Sequence, residues 1–262
     1  MSATPARGDA TIATPSSGQS RRRAIAAQTK VELAMTLRRG ESLMVTIAIP
    51  VGILVFFGKV DALGSAIKGD PIDFLVPGVL ALAVMAHAMV SLGIATGFER
   101  RYGVLKRLGS TPLSRGGLLT AKTINVLIVE VVQAVIIIGT GVALGWSPDA
   151  GLLAAIVLLL IGTVAFAGIG MLMAGTLRAE ANLAAANGLF LALMFLGGIA
   201  YPLAKLPNAL ETFARLLPAA ALTECVRAVL QSGPFPSGAL AVLLVWAVAM
   251  PLAAARWFRW EE

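Results

Sequence analysis

The chain has 262 residues, of which 58% are hydrophobic and only 13% charged. Soluble domains carry roughly 25% charged residues, so this composition, with its long apolar runs, excludes a soluble globular protein and points to an integral membrane protein. The net charge of +7 does not mark a nucleic-acid binder, because the basic residues collect at the ends of apolar segments, where loop charge sets membrane orientation. A single cysteine, Cys225, excludes an internal disulfide and gives no metal cluster; it reads as a small buried apolar residue.

Residues 1–20 are mostly Ala, Thr, Ser, Pro and Gly, too poor in large apolar groups to bury a core, and read as a disordered tail. They lack the apolar centre of a signal peptide, which argues against cleavage. Residues 21–262 read as one all-α membrane domain. Arg21-Arg22-Arg23 opens a helix to about Arg39 whose basic residues suit an anionic membrane surface, although a plain solvated helix is also compatible.

Six transmembrane helices are expected, at about 43–60, 74–97, 118–144, 151–177, 183–203 and 238–255. The first is short and contains Pro50, a kink tolerated if neighbours satisfy the freed carbonyl. Asp61 to Asp73 is a short loop, and Pro77 fits the first turn of the second helix. In that helix Gly93 and Gly97 form a small-residue spacing that permits close backbone approach. His87 near its middle is either a packing residue or a candidate lining of a transport path. In the third helix Glu130 and Gln133, three apart, must face the bundle or a wet cavity. They line a path in one reading and make an interhelical hydrogen bond in the other. Trp146-Ser147-Pro148-Asp149 is a tight turn, and Gly197-Gly198 allows a bend in the fifth helix.

The segment before the last helix is too polar to span and too apolar for an ordinary loop. Leu206, Leu210, Phe213 and Leu217 form one amphipathic run; Pro218 starts another, carrying Leu222, Val226 and Val229. Two short amphipathic re-entrant helices are expected there, dipping into the outer leaflet. Six spans put both termini on one side. The tail and first helix carry seven Lys and Arg, the segment 100–122 six, the Arg178 loop one and the C-terminus two, sixteen in all against five on the other side. That asymmetry places both termini in the cytoplasm.

The most polar and most basic segment within the apolar part of the chain is Phe98 to Thr123. Phe98, Tyr102, Leu105 and Leu108 recur at helical spacing, with Arg100, Arg101, Lys106 and Arg107 mostly on other faces. Gly109 and Ser110-Thr111-Pro112 stop the run. A short amphipathic helix tied to two spanning helices is suited to receiving a push from a soluble partner. Gly116 to Thr123 comes within one residue of a phosphate-binding loop, but it opens a membrane helix rather than following a strand. No nucleophile, base and orienter set is present, so the chain reads as non-catalytic.

The six-helix layout and this loop resemble the permease subunits of ABC-2 type transporters, including daunorubicin-exporter and polysaccharide-exporter permeases. The loop positions that carry the resemblance are Glu99, Arg100, Gly103, Leu105, Leu108, Thr111-Pro112 and Lys122, with Ala121 where the family has glycine. Leu206-Pro207 and Leu217-Pro218 add to it, and it covers about residues 21–262. The resemblance implies a non-catalytic permease of an ATP-driven exporter in a bacterial plasma membrane, moving a drug, lipid or lipid-linked glycan. It implies a separate ABC ATPase subunit that binds ATP and Mg, no cofactor in this chain, and a second permease chain, identical or related. Phe98, Glu99, Arg100, Arg101, Tyr102, Gly103, Leu105, Leu108, Thr111 and Pro112 would then form the ATPase-coupling element. The alternative is a proton-coupled secondary transporter using Glu130 and His87, which leaves the basic helix unexplained. A non-transporting membrane scaffold is a third reading.

Overall fold

The computed structural model describes residues 17–38, 40–59, 70–105, 115–147, 151–199 and 201–259. Among these residues every regular element is helical: α1 (Ser17–Arg38), α2 (Gly40–Lys59), α3 (Pro71–Val84), a π-helical segment (Met85–Ser91), α4 (Leu92–Arg101), α5 (Arg115–Ala143), α6 (Leu152–Thr176), α7 (Ala179–Leu196), a 3-10 turn (Leu203–Lys205), α8 (Asn208–Ala214), α9 (Pro218–Leu230) and α10 (Ser237–Trp257). The expected loop around Asp61, the tight turn at Pro148-Asp149, and the loop positions Leu108, Thr111 and Pro112 lie outside the described residues.

Among the described residues five stretches are long and apolar enough to cross a bilayer: Pro71–Arg101, Thr120–Ala143, Leu152–Thr176, Ala179–Leu196 and Ser237–Trp257. Within the expected first span, Thr46–Lys59 of α2 forms a shorter apolar helix. The second runs unbroken through α3, the π-helical segment and α4. Since its helix starts at Pro71, with the Asp70 carboxylate accepting from the Ile72 N–H at 2.9 Å, Pro77 lies inside the helix rather than in its first turn.

α3 is the axis of the bundle. It is apolar all round, and from Phe74 to Val84 every residue is buried. Such a helix belongs at the centre of a packed array. α10 is equally apolar but buries only Leu243 and Ala254, so its face belongs to lipid or another chain. Backbones meet closely where α4 crosses α6. A Cβ on Gly170 would sit 2.6 Å from the Met89 carbonyl oxygen, and one on Gly93 3.0 Å from that of Gly170. Small residues are what allow helices in hydrocarbon to gain dispersion contact along their length.

Prolines inside apolar helices orphan the carbonyl four residues back, and two glutamines on neighbouring elements take up those carbonyls. Pro50 frees the Thr46 carbonyl, which accepts from Gln133 Nε2 on α5 at 3.2 Å. Pro77 frees the Asp73 carbonyl, which accepts from Gln231 Nε2 just after α9 at 2.6 Å. Beside it, Arg227 lies over the Phe74 ring at 3.7 Å and donates to the Gly198 carbonyl at 2.9 Å. Burial draws the Arg227 guanidinium down to about 10, so it remains a cation at neutral pH.

One further expectation changes. Gly197-Gly198 does not bend the fifth spanning helix but ends it: α7 stops at Leu196, and Gly198 turns the chain at φ +64°. In the segment before α10, where two short re-entrant helices are expected, the chain forms α8 and α9. Pro218 opens α9 in its first turn, and Ala219–Thr223, Cys225, Val226 and Leu230 are buried. α9 packs against α3, α6 and α10, and the Trp246 indole on α10 donates to the Leu216 carbonyl at 2.9 Å. At the exposed end of this insertion Arg215 pairs with Glu211 and Glu224, both at 2.8 Å, and the Glu211 hydrogen bond raises its pKa.

Gln231→Leu and Gln133→Leu should each cost about 0.5–1.5 kcal/mol, because each removes a hydrogen bond between neighbouring elements. Reversible unfolding of the purified chain in mixed micelles would check this; a surface variant such as Thr212→Ala, whose hydroxyl bonds within its own exposed helix, should fall well below that range.

Candidate functional site

One end of the bundle gathers ion pairs between residues far apart in the chain. Lys122, near the start of α5, is 3% exposed. Its ammonium lies 2.7 Å from Glu99 Oε2 and 2.9 Å from Glu99 Oε1 on α4, and 3.1 Å from Glu32 Oε1 on α1. Gln28 Nε2 donates to the same Glu32 oxygen at 3.0 Å. One turn further along α5, Asn125 Nδ2 donates to Thr36 Oγ1 at 3.1 Å. A buried ammonium is tolerated only when carboxylates compensate its lost hydration, and here two do, from two different helices.

Arg100 and Arg101 bind α4 to the α6–α7 junction. Arg100 is buried and its Nη2 donates to the Leu177 carbonyl at 2.6 Å. Leu177 is the C-cap of α6, so a guanidinium meets the negative end of that helix. Arg101 forms an ion pair with Glu180 in the first turn of α7. Asn182, completely buried, donates to the Gly93 carbonyl at 2.8 Å. A Cβ on Gly97 would lie 2.7 Å from the same side-chain nitrogen. Gly93 and Gly97 thus give room to two different neighbours, the α6 backbone and an α7 side chain.

The basic loop departs from the expected short helix. Phe98 to Arg101 are the last turn of α4, where Phe98 and Tyr102 stack at 6.1 Å between centroids. Tyr102 caps the helix, and Gly103 at φ +69° reverses the chain. A single helix through Phe98, Tyr102, Leu105 and Leu108 is therefore broken at Gly103, because a left-handed residue cannot continue a right-handed helix. Beyond the turn Leu105 is buried against Ala24 and Ile25 of α1 and Phe258 after α10. Phe258 in turn packs on Gly175, whose carbonyl accepts from the Arg259 N–H at 3.1 Å. One glycine turn is held between the first and last helices of the bundle.

Between α1, α2, α4, α5, α7 and the π-helical segment lies a cavity of about 540 Å³. Lys122, Glu32, Glu99 and Asn125 line it, and so does His87, which is 5% exposed. Glu130 and Gln133 do not line it. They border a separate apolar cavity of about 80 Å³ and make contacts in different directions. Glu130 Oε2 accepts from Thr163 Oγ1 on α6 at 2.6 Å, and Gln133 reaches α2. The proposed pathway lining is thereby divided, and His87 and Glu130 share no cavity among those described.

The residues that reading the sequence missed are Glu32, Asn125 and Asn182. A signal for Asn125 was available: Lys122, Asn125 and Gln133 fall on one face of α5, a polar stripe in an apolar helix. Glu32 and Asn182 gave no comparable pattern. Among the described residues, no group of three His, Cys, Asp or Glu is placed to hold a metal.

Lys122→Met should cost about 3–5 kcal/mol, since it strands Glu32 and Glu99 without their cation. Adding Glu32→Gln should recover part of that loss, a sign reversal that thermal unfolding in detergent would detect.

A family model described as ABC-2 type transporter matches residues 23–230. No curated protein sequence matches the chain.

Proposed function

The chain belongs to the ABC-2 type transporter family, and on that premise we propose that it is the permease subunit of an ATP-driven exporter whose ATPase docks at the basic end of the bundle. Membership makes it a multi-pass membrane component of an ABC transporter and implies an ABC ATPase as partner. On this reading α2, with its kink at Pro50, is a sixth span, both termini and the Gly103 turn are cytoplasmic, and two permease chains, identical or related, complete the path across a bacterial plasma membrane. ATP and Mg are bound by the partner, and the cargo is hydrophobic or amphipathic: a drug, a lipid or a lipid-linked glycan.

The observation that carries the proposal is the knot at Lys122. It joins α1, α4 and α5 next to the Gly103 turn. Arg100 and Arg101 extend the connection to α6 and α7. A push on the turn is then delivered to five helices through the buried Lys122 ion pairs, the Arg100 hydrogen bond and the exposed Arg101–Glu180 pair. Such a rigid end suits a transition in which closure of an ATPase tilts whole helices. Tyr102 is 68% exposed beside the turn, and in this reading it meets the ATPase together with the loop that contains Leu108, Thr111 and Pro112. α1 exposes Val31, Met35 and Leu37, a face suited to the membrane interface.

Gly103→Pro removes the positive φ, which proline cannot adopt, and the N–H that donates to the Arg100 carbonyl at 3.1 Å. The variant should insert normally and lose ATP-dependent transport in vesicles. Purification from the native host should recover an ATPase in near-equal amount with the wild-type chain and much less with Gly103→Pro. Full transport by a well-inserted Gly103→Pro chain would overturn the coupling role, and a folded chain that brings down no ATPase would overturn the permease assignment.

A further inference from the structure

We propose that Phe258, which lies outside the stretch matched by the family model, is a positioning residue for coupling. It joins the Gly103 turn to the paired helices α6 and α10, so that a push on the turn moves both. The role rests on the permease reading; the contacts do not.

Beyond the end of α4, Tyr102 and Val104 are 68% and 39% exposed, whereas Leu105 is 2% exposed. Leu105 is where the turn is seated in the bundle. It packs against Ala24 and Ile25 of α1 and against Phe258 just past α10. A push on the exposed part of the turn therefore bears on Phe258 through Leu105.

Phe258 is held so that it passes the push on. Its own N–H donates to the Ala254 carbonyl at 2.9 Å and caps α10, and the next N–H, that of Arg259, donates to the Gly175 carbonyl of α6 at 3.1 Å. The backbone on either side of the ring is thus pinned to two different helices. Phe258 also lies directly on Gly175, where a Cβ would sit 2.8 Å from the Phe258 Cα. With no side chain at 175 to yield, a displacement of Phe258 presses on the α6 backbone itself.

Seven positions back, on the same face of α6, Gly168 meets α10 again. A Cβ there would lie 2.6 Å from the Pro251 nitrogen and 2.8 Å from the Met250 carbonyl carbon. The two helices touch backbone to backbone at two depths. Packed interfaces of this kind shift between discrete arrangements and do not deform continuously, so α6 and α10 respond as one body. Arg100 already ties α4 to the same end of α6, at the Leu177 carbonyl. What Phe258 adds is α10, which the Lys122, Arg100 and Arg101 contacts do not reach. Because α10 carries the exposed Val245, Val248 and Leu252, the link extends ATPase closure to an outward-facing side of the bundle.

The test uses the full chain with its co-purifying ATPase in lipid nanodiscs. Spin labels at Ala181→Cys on α7 and Ala255→Cys on α10, both exposed positions, read the separation of two helices that the turn reaches by different routes, Arg101–Glu180 and Phe258. Cys225 is buried and takes no label. Labelled chains are diluted with unlabelled ones, so that the distance read by pulsed electron resonance lies within one chain. With Phe258 in place the separation should be the same without nucleotide and after trapping with ATP, Mg and vanadate, because both helices move together. In Phe258→Ala it should change on trapping by about 2 Å or more, with ATP hydrolysis retained. Leu105→Ala, which breaks the link from the turn side and leaves Phe258 on Gly175, should give the same change. Phe258→Leu, which keeps apolar bulk against Leu105, should restore the constant separation. Unfolding midpoints identify the variants that remain folded; if Phe258→Ala does not, Leu105→Ala decides. A separation that changes as much with Phe258 in place, one that stays constant in folded Phe258→Ala and Leu105→Ala, or a Phe258→Leu chain that behaves as Phe258→Ala would each overturn the role of Phe258, while the co-purified, active ATPase leaves the permease reading standing. A chain that brings down no ATPase removes both.

Discussion

A backbone carbonyl in hydrocarbon has no water to turn to, and that constraint organises this bundle. Inside an α-helix the N–H four residues on satisfies it, but prolines and helix ends leave carbonyls over. Several polar side chains of this protein go to carbonyls on neighbouring elements: Gln133 to Thr46 and Gln231 to Asp73, both freed by a proline, Arg100 to Leu177 and Arg227 to Gly198, both just past a helix end, and Asn182 to Gly93 within a helix. Lipid gives apolar side chains little reason to prefer protein over acyl chain. Directional bonds of this kind therefore fix which helices are neighbours, and the small residues then let them approach.

The two ends of the molecule use this constraint differently. At the basic end charge meets charge and helix termini, so α1, α4, α5, α6 and α7 are bound into one block around Lys122, Arg100 and Arg101. At the other end the chain folds back on itself. α9 inserts among α3, α6 and α10, and Gln231 and Arg227 tie it to the start of α3. Between them lie the cavity with His87 and broad apolar faces on α5 and α10, where Val131, Val135, Val245, Val248 and Leu252 are exposed. An end bound by charge pairs, an inserted far end and apolar sides available to lipid or a second chain fit a membrane component of an ABC transporter.

The apolar helices, the loop that carries the basic residues and the GxxxG spacing were legible in the sequence because each depends on residues close together in the chain. Hydropathy over some twenty residues reports burial in lipid, and proline or glycine marks where a helix can start or stop. The freed carbonyl at Pro50 was also foreseeable. Its donor was not, since Gln133 lies 87 positions away.

By itself, then, the sequence determined that this is an all-helical membrane protein, and through its loop and proline motifs it pointed to the ABC-2 permease family. Tertiary structure alone decided that Lys122 belongs to Glu32 as well as Glu99, that Phe98–Arg101 end a long helix instead of forming a separate one, that α9 is buried, and that His87 and Glu130 face different cavities. The physical reason is the same in each case. A polar group in an apolar bundle must find a partner, and the partner is set by which helices cross at its depth, a property of packing that local periodicity does not carry.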